Sequence, residues 1–409
     1  MLILSLLFYA GLLCLAVATG WLVLLTFGAW RYRALTDPAA PLLTLGVIIP
    51  ACNEELQIAQ TIANVRRCDY PAERLRLIVI ADNCSDATAQ YARAAGARVV
   101  ERQNLQQRGK GQALDWFLKH CQNLYACVDG LVFVDADVQP ERNMFRELSA
   151  SLAHPAVQVV QGFNGVANPD DNWRTALNAA AFNVFNHLRM AGNCQLFGSA
   201  MLKGLGMAFK TELLSKYGWP AHSVVEDMEF TLQLTADRVA IHYNPAAIIT
   251  SEMAASRAQA DSQRRRWEGG RLRLARQVLP GLFGKLLAGQ FRQLPLIMDL
   301  LIPPLSLLVM LLSGWTLLAW GFFPTLLPLC LLLVLCVTGY VVSGQLQRKM
   351  PLRHWGYLLA APLFVAWKLL VYASMLFDKK KDTWVRTLRK AELAPDLQSK
   401  HKGTANETV

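Results

Sequence analysis

The chain has 409 residues, a formal net charge of +11 and a hydrophobic content of 53%. That content is high for a soluble globular protein and predicts that part of the chain lies in lipid. The basic residues are concentrated beside apolar segments and lack the interleaved aromatic residues of a nucleic-acid-binding surface, so we expect no nucleic-acid partner.

The first predicted element is a membrane span. The stretch from Leu2 to Trp30 carries no charge and exceeds the roughly 20 residues that a helix needs to cross a bilayer. No basic residue precedes it and it is long for a secretory signal, so we expect it to be retained. Arg31 and Arg33 follow it, and because basic flanks tend to stay in the cytoplasm, the amino terminus is predicted to face outward.

An α/β domain follows. Between about Thr44 and Met253, short aliphatic runs alternate with longer amphipathic stretches, which predicts a mixed, mostly parallel sheet. Strands are predicted at Leu45 to Ile49, Leu77 to Ile80, Arg98 to Val100, Leu131 to Val134 and Val157 to Gln161, and helices at Glu54 to Arg66, Ser85 to Ala95 and Gly111 to Cys121. In such sheets, ligands bind in the loops at the carboxyl ends of the strands.

Polar residues follow the first two predicted strands. Asn53 and Glu54 come after the first, where they could contact a nucleotide or where Asn53 could cap the next helix. Asp82 follows the second, and we predict that its carboxylate accepts hydrogen bonds from a nucleobase or ribose. Asp86 is the better candidate for a helix cap.

An acidic pair, Asp135-Ala136-Asp137, follows the fourth predicted strand. Magnesium is commonly held by one or two carboxylates together with the phosphate oxygens of a substrate. We therefore predict that Asp135 and Asp137 hold Mg²⁺ or Mn²⁺ against a diphosphate, which indicates nucleotide-sugar chemistry. Short acidic pairs also occur in loops without such a role, so this interpretation depends on the other motifs.

Two glycine-containing segments are candidates for close contact with a ligand. Arg108-Gly109-Lys110-Gly111 opens a predicted helix, so Lys110 and nearby backbone amides could bind a phosphate; a solvated basic turn is the alternative. Gly204-Leu205-Gly206-Met207 lies in a predicted loop, where the glycines would let a sugar approach the backbone, and a tight turn is an equal alternative.

Two further motifs lie downstream. Glu226-Asp227 opens a predicted helix, where a carboxylate could stabilise the helix dipole or act as the general base for an attacking hydroxyl. Gln263-Arg264-Arg265-Arg266-Trp267 could be a basic membrane-surface helix. Because guanidinium groups match phosphate geometry and an indole offers a flat face to a sugar ring, Arg266 and Trp267 are our candidates for ligand binding.

The carboxyl-terminal part is predicted to return to the membrane. Leu294 to Trp320 and Pro324 to Val342 are each long enough to span and are predicted to form a hairpin. Asp299 and Pro303-Pro304 indicate a short helix that lies on the membrane before the first of these spans.

The last apolar segment, Trp355 to Phe377, precedes three lysines, Lys379 to Lys381. Because basic residues favour the cytoplasm, we expect this segment to be interfacial or re-entrant rather than a fourth span. The predicted regions are a transmembrane helix over 1–33, a cytoplasmic α/β domain over 40–280, a membrane region over 281–378 and a cytoplasmic tail over 379–409.

Taken in order, these motifs resemble those of the inverting family 2 glycosyltransferases. More narrowly, they are similar to the membrane-embedded branch that contains cellulose, chitin, hyaluronan and poly-N-acetylglucosamine synthases and ceramide glucosyltransferase. The resemblance covers roughly Thr44 to Trp267, and several motifs in the right order are far more specific than any one of them.

The resemblance implies a GT-A-like nucleotide-binding fold at the cytoplasmic membrane face and a UDP-sugar donor. It implies that Asp227 is the catalytic base, that a metal is bound by Asp135 and Asp137, and that the anomeric configuration inverts. The implied nucleotide-sugar ligands are Asn53, Glu54, Asp82, Lys110, Asp135, Gln263 and Arg266, and the implied acceptor-binding residues are Gly206, Glu226 and Trp267.

Two departures leave the acceptor open. Val225 stands where the best-known processive synthases have threonine, and three or four spans are few for a self-contained polysaccharide channel. The product could be a growing glycan, with a small partner subunit completing the channel, or a lipid that receives a single sugar. A transporter or membrane scaffold is the alternative from another class, but charge is nearly absent from the clear spans.

Overall fold

The computed structural model describes residues 2–253, 257–361 and 363; the side chains of residues 257–267 lie outside the described part. An eight-stranded sheet organises the described residues. Its strands are β1 (Leu45–Ala51), β2 (Leu75–Asp82), β3 (Arg98–Arg102), β4 (Gly130–Phe133), β5 (Val138–Pro140), β6 (Val159–Val166), β7 (Met207–Lys210) and β8 (Ile241–Ser251).

The strand order is β3-β2-β1-β4-β7-β6-β8-β5. Four pairs of neighbouring strands are parallel: β1 with β2, β2 with β3, β1 with β4, and β6 with β8. Strand β7 runs antiparallel to β4 and β6, and β5 runs antiparallel to β8. The predicted α/β class with a mixed, mostly parallel sheet is confirmed.

The helices lie on both faces of the sheet and at both ends of the chain. They are α1 (Leu2–Arg31), α2 (Ile58–Arg66), α3 (Thr88–Ala94), α4 (Lys110–His120), α5 (Gln122–Tyr125), α6 (Met144–Ala153), α7 (Trp173–Phe182), α8 (Arg189–Phe197), α9 (Thr211–Tyr217), α10 (Glu226–Ala236), α11 (Arg257–Leu287), α12 (Leu294–Leu301), α13 (Leu305–Phe322), α14 (Leu327–Gln347) and α15 (Leu352–Trp355). A π-helical segment, Asn183–Leu188, joins α7 to α8.

The five predicted strands correspond to β1, β2, β3, β4 and β6, whereas β5, β7 and β8 were not predicted. β5 and β7 are too short for an alternating pattern to show. In β8 the apolar pattern is interrupted at Pro245, where the pairing with β6 shifts between Gly162 and Phe163. A proline at such an irregularity avoids the loss of a ladder hydrogen bond.

The side chains of β1 show how the sheet builds two buried layers. Val47 and Ile49 point to a layer shared with α2 and α6, and Ile48 points to the opposite layer, shared with α4 and α10. This second layer continues into the apolar helices, where it includes Leu25 of α1 and Leu308 of α13. The sheet and the candidate membrane helices therefore share one buried core.

Among the described residues, three helical segments are long and apolar enough to cross a membrane: Leu2–Arg31, Leu305–Phe322 and Pro324–Gln347. The apolar stretch predicted from Leu294 to Trp320 is not one helix, because α12 ends at Leu301 and α13 begins at Leu305 after Pro303-Pro304. The break predicted at these prolines is confirmed. The prediction for Trp355 to Phe377 falls mostly outside the described residues.

Helix α8 packs closely on α1. A Cβ added at Gly192 would stand 2.3 Å from the carbonyl oxygen of Leu25, and this backbone atom cannot move aside by a change of rotamer. Gly20, on the exposed side of α1, has no atom within 4 Å of an added Cβ. The α/β domain is thus fixed to the first apolar helix by direct backbone packing.

We expect Gly192→Ala to lower stability by about 1–3 kcal/mol, because overpacking forces the two backbones apart. The matched variant Gly20→Ala should leave stability unchanged or raise it, because alanine is the better helix former. Thermal unfolding in detergent measures both, and equal melting temperatures for the two variants would contradict this account of the α1–α8 contact.

Candidate functional site

The predicted site residues meet at one edge of the sheet. β1, β2 and β4 are adjacent and parallel, so the loops that carry Asn53, Asp82 and Asp135 lie at the same edge. β7 runs antiparallel to β4 and pairs Met207 with Phe133, which brings the preceding glycine loop to that edge as well. The strand topology alone therefore brings four of the predicted motifs to the same edge of the sheet.

Lys110 links two of these motifs. Its Nζ donates to Asp135 Oδ1 at 2.5 Å and to the carbonyl oxygen of Gly204 at 2.6 Å. Burial opposes the charge on Lys110, but the nearby carboxylates of Asp135, Glu226 and Asp227 outweigh burial and hold the pKa of Lys110 above its ordinary value. The ammonium is therefore charged at neutral pH and neutralises part of an acidic cluster.

The position of Lys110 depends on a glycine. Helix α4 begins at Lys110, and the preceding Gly109 has φ +112°, a backbone conformation that side-chain-bearing residues rarely adopt. The predicted start of a helix within Arg108-Gly109-Lys110-Gly111 is confirmed. Lys110 therefore lies in the first turn of α4 with its side chain in the site. The apolar residues of the same helix are buried against the sheet.

Asp227 lies against the glycine loop. Gly204 has φ +75°, and a Cβ added there would stand 3.6 Å from Asp227 Oδ2. The backbone N–H of Met228 donates to Asp227 Oδ1 at 2.8 Å, which fixes the other oxygen of the same carboxylate. Burial raises the pKa of Asp227, and Lys203, the Met228 N–H and Lys110 act in the opposite direction.

Glu226 lies beside Asp227 at the start of α10. Burial raises the pKa of Glu226 from its ordinary value of 4.5 to about 8; Lys110 opposes this rise, whereas Asp227 and Asp135 add to it. Glu226 thus carries a proton at neutral pH. The two neighbouring carboxyl groups therefore have different environments, with Lys203 the largest opposing influence on Asp227.

The acidic pair is held by the buried residue between its two members. Ala136 is buried and its carbonyl oxygen accepts a hydrogen bond of 2.7 Å from Thr61 Oγ1, while Asp135 and Asp137 on either side are partly exposed. Within the described residues, no group of three or more His, Cys, Asp or Glu side chains is arranged to hold a metal. Two carboxylates are nevertheless a suitable oxygen set for a divalent cation that takes its other ligands from phosphates.

At the end of β2, Asp82 is buried and paired with Arg102, the last residue of β3, at 2.6 Å. Burial raises the pKa of Asp82, and the Arg102 guanidinium opposes that rise. Arg102 also donates to the carbonyl oxygen of Gln107, so it fixes both the carboxylate and the loop that leads to α4.

Asn53 and Asp86 connect the loops after β1 and β2. Asn53 has φ +56°, and its Oδ1 accepts from the Ser85 N–H at 2.8 Å. It does not cap α2, which begins only at Ile58. The cap position of α3 is occupied by Ala87, so the prediction that Asp86 caps this helix is wrong, although Asp86 Oδ1 accepts from the Thr88 N–H at 3.0 Å. Glu54 donates its backbone N–H to Thr88 Oγ1 in the same connection.

The side chains of Gln263, Arg266 and Trp267 lie outside the described part of the structure. The backbone of α11 carries these residues, and one helical turn later Gly270 packs on Val225, with an added Cβ 2.9 Å from Val225 Cγ1. Because a helix rises about 1.5 Å per residue, the helix that carries the arginine string passes close to the start of α10.

Two residues of this region were not predicted from the sequence. Arg102 ends a strand and Lys203 precedes Gly204, so each adjoins a residue or motif that was predicted. The only sequence signal was a basic residue at a strand end or beside a glycine. Basic residues are common at such positions, and only the pairing of strands and loops shows which carboxylates they meet.

Comparison with known proteins agrees with this architecture. The model of the family described as "Glycosyltransferase like family 2" matches residues 40–270, more than half of the chain. The matched segment contains the whole eight-stranded sheet and the first turns of α11.

Curated relatives match the same part of the chain. A probable glycosyltransferase of Bacillus subtilis, YdaM, is 28% identical over 235 residues, which cover 55% of this chain and 54% of that protein. Beta-monoglucosyldiacylglycerol synthase of Trichormus variabilis is 27% identical over 55% of this chain and 48% of that protein. The chain spans about half the length of these relatives.

The cellulose synthase catalytic subunit [UDP-forming] of Pseudomonas fluorescens is 28% identical over 64% of this chain and 37% of that protein. Among solved structures, the mannosyltransferase PcManGT from Pyrobaculum calidifontis, in complex with GDP-Man and Mn²⁺, is 19% identical, with a TM-score of 0.51 over 88% of this chain and 99% of that one. This similarity shows a shared fold, the GT-A glycosyltransferase fold.

The raised pKa of Glu226 predicts a pH-dependent loss of stability. Between about pH 4.5 and 8 the unfolded chain releases this proton while the folded protein retains it, so ionisation favours unfolding increasingly as the pH rises. Glu226→Gln removes the effect. We expect the melting temperature of Glu226→Gln minus that of wild type to increase from pH 5 to pH 8. A difference that does not change with pH would show that Glu226 has an ordinary pKa.

Proposed function

The chain belongs to the family 2 glycosyltransferases, and on that premise we propose that it transfers a sugar from a UDP-sugar to a growing glycan at the cytoplasmic face of a membrane. The observation that carries the proposal is the pair of contacts of Lys110, to Asp135 and to the Gly204 loop beside Asp227. These contacts support a site in which the proposed diphosphate-binding residues lie next to the proposed base, Asp227.

The donor is proposed to lie along the carboxyl ends of β1, β2 and β4. Asp82, oriented by Arg102, would contact the nucleoside, and the connected loops that carry Asn53 and Glu54 would enclose it. Lys110 would contact the diphosphate. The Pseudomonas fluorescens relative is a UDP-forming cellulose synthase subunit, which supports a uridine nucleotide as the donor.

A divalent cation fits the acidic pair. We propose that Asp135 and Asp137 hold Mg²⁺ or Mn²⁺, because both carboxylates flank one anchored residue and Asp135 contacts Lys110. Bound there, the cation would neutralise charge on the departing diphosphate. Lys110, already paired with Asp135, would add a second positive charge to the same leaving group.

The proposed reaction is a single displacement. A hydroxyl oxygen of the acceptor forms a bond to the anomeric carbon while the bond from that carbon to the diphosphate oxygen breaks, and UDP leaves with the electron pair. Asp227 accepts the proton of the hydroxyl. Attack opposite to the leaving group inverts the anomeric configuration, and Glu226, which keeps its proton, can donate a hydrogen bond to the acceptor.

Gln263, Arg266 and Trp267 are proposed to close over the diphosphate and the acceptor. Support comes from the contact of Gly270 with Val225, which brings α11 next to the helix of Glu226 and Asp227. Gly206, with φ +64°, would leave room for the acceptor beside the backbone.

Transfer of a single sugar to a lipid is the second candidate. It is supported by the similarity to beta-monoglucosyldiacylglycerol synthase and by the small number of candidate spans, three among the described residues. Glycan synthesis with so few spans would call for a partner subunit that completes a channel. Both candidates use the same donor site and the same base.

The proposed membrane arrangement is multi-pass, with the catalytic domain in the cytoplasm. The basic residues at the end of α1 support this orientation, and the pair α13 and α14 would cross and return. The division into 1–33, 40–280, 281–378 and 379–409 remains a proposal, with the family match falling inside its second region.

Asp227→Asn is expected to bind UDP with wild-type affinity and to lose transfer by about 10²- to 10⁴-fold, because the amide cannot accept the proton. The measurement uses purified protein in lipid with a panel of radiolabelled UDP-sugars. Asp237→Asn, at the exposed end of the same helix, is the matched control and should keep wild-type turnover. A wild-type rate for Asp227→Asn would show that another group is the base.

Asp137→Ala should weaken UDP binding only when Mg²⁺ or Mn²⁺ is present, because the variant loses one of two carboxylate ligands. Binding of UDP is titrated calorimetrically with the metal and with EDTA. Superimposable curves for the variant and the wild type in the presence of metal would exclude Asp137 as a ligand.

A further inference from the structure

Lys203 is a partly buried lysine without a charge partner in the part of the chain that the structure describes. There, its ammonium forms no ion pair and no hydrogen bond, and its Nζ lies 3.9 Å from the centroid of the Phe185 ring. Burial lowers the pKa of Lys203, and the more distant charges of Asp299 and Asp227 oppose this lowering. The positive charge of this side chain is thus poorly compensated within the protein.

A second cation lies over the same ring. The guanidinium carbon of Arg189 is 5.1 Å from the centroid of the Phe185 ring. Arg189 is buried and pairs with the buried Asp299 at 3.4 Å, and its Nε donates to the hydroxyl of Tyr340 on α14 at 3.0 Å. The carboxylate of Asp299 therefore compensates Arg189, and the charge of Lys203 is left without a counter-ion.

The backbone of Lys203 is fixed beside the carboxylate proposed as the base. The N–H of the preceding Leu202 donates to Thr231 Oγ1 at 3.0 Å, and Thr231 Oγ1 donates to the carbonyl oxygen of Asp227 at 2.8 Å. A Cβ added at the following Gly204 would stand 3.6 Å from Asp227 Oδ2. A group bound to the Lys203 ammonium therefore lies within about the length of one lysine side chain from the first turn of α10.

The Phe185 ring lies where the α/β domain meets an apolar helix. Phe185 belongs to the π-helical segment Asn183–Leu188, and irregular turns of this kind are frequent at functional sites. Asn183 Nδ2 donates to Gln345 Oε1 of α14 at 2.8 Å. Helix α14 belongs to one of the segments that are long and apolar enough to cross a membrane. The unpaired ammonium thus lies between the proposed base and a candidate membrane helix.

This location indicates which ligand would supply the missing charge. A poorly solvated cation is stabilised by a ligand that brings a negative charge to it, and an ammonium binds phosphate as a compact point charge. The donor diphosphate is proposed to lie at Lys110 and the acidic pair, on the side of the sheet edge, so a further anion beside Asp227 would belong to the acceptor. At a membrane surface such anions are carried by lipid headgroups.

We propose that the acceptor is a lipid with a phosphate group, and that Lys203 binds this phosphate while a hydroxyl of the same headgroup reaches Asp227. The proposal rests on the proposed function, whose donor site and base it keeps, and it names the class of acceptor. It applies to a lipid that receives a single sugar and to a lipid that carries a growing glycan.

The test measures the melting temperature of the full chain in a neutral detergent against the concentration of dihexanoyl phosphatidic acid, a short-chain lipid with a phosphate. A ligand that binds the folded protein raises its melting temperature. In Lys203→Met the dissociation constant should be about ten- to 100-fold higher than in wild type, because a hydrogen bond to a charged group is lost. Lys203→Arg keeps the charge and should keep most of the affinity.

Two further probes identify the source of the anion. Dihexanoylglycerol has the same chains without the phosphate and should give the same response in wild type and in Lys203→Met. Inorganic phosphate should bind more weakly than the phosphatidic acid. If inorganic phosphate raises the melting temperature as strongly, with the same dependence on Lys203, the site takes free phosphate and the lipid assignment is wrong.

Lys210→Met is the matched control, because it removes the same charge from the end of β7, where Lys210 pairs with Gly130 at the far end of β4. It should respond to phosphatidic acid like wild type. The proposal is wrong if Lys203→Met binds this lipid as wild type does, or if Lys210→Met loses as much affinity. Should Lys203→Met lack a melting transition, Lys203→Gln is measured by the same criteria.

Titration with UDP separates the acceptor from the donor. Lys203→Met should bind UDP with wild-type affinity, and a loss of UDP affinity would assign the lysine to the donor diphosphate and overturn the proposal. A wild-type protein that transfers from no UDP-sugar would instead refute the proposed function. The melting temperatures would still decide whether Lys203 binds a lipid phosphate, because they do not depend on turnover.

Discussion

The site depends on one partly buried cation. Lys110 lies among three carboxyl groups, Asp135, Glu226 and Asp227, and donates to the carbonyl oxygen of Gly204. Without it, the negative charges of Asp135 and Asp227 would repel one another, and a diphosphate would add further repulsion. With it, loops from distant parts of the sequence can close on one edge of the sheet. The positive backbone φ of Gly109 and Gly204 lets the chain approach this cation from both sides.

Two adjacent acids beside this cation have different environments. Glu226 and Asp227 are both partly buried, yet Glu226 has its pKa raised to about 8, whereas Asp227 accepts a hydrogen bond from a backbone N–H and is influenced by Lys203 as well as Lys110. Two carboxyl groups in different environments can divide the work of hydrogen-bond donor and proton acceptor. The geometry of α10, with both residues in its first turn, makes this division possible.

The membrane helices contribute to the site through packing and charge. Gly192 allows α8 to touch the backbone of α1, and the same helix α8 begins at Arg189, which pairs with Asp299 on α12. The helices α1 and α12 are thus joined to α8 by one close backbone contact and one buried ion pair.

Much of this site could be predicted from sequence because its motifs follow apolar strands. Asp82 and Asp135 were placed at strand ends by the alternation of apolar runs, and the Gly204 segment was placed in a loop before an apolar run. The sheet brings all three to the same edge. The partner Arg102 was not predicted, because it meets Asp82 across the pairing of β2 with β3 and no local pattern encodes that register. β8 was missed because Pro245 and the pairing shift interrupt its apolar pattern.

The most direct measurement is a cryo-electron microscopy structure of the full chain in a lipid nanodisc with UDP and Mn²⁺. The account predicts metal density between the diphosphate and the carboxylates of Asp135 and Asp137, with Lys110 at the diphosphate and Asp227 facing the position of the sugar. A nucleotide bound elsewhere, or an Asp227 side chain separated from the diphosphate by protein, would contradict it.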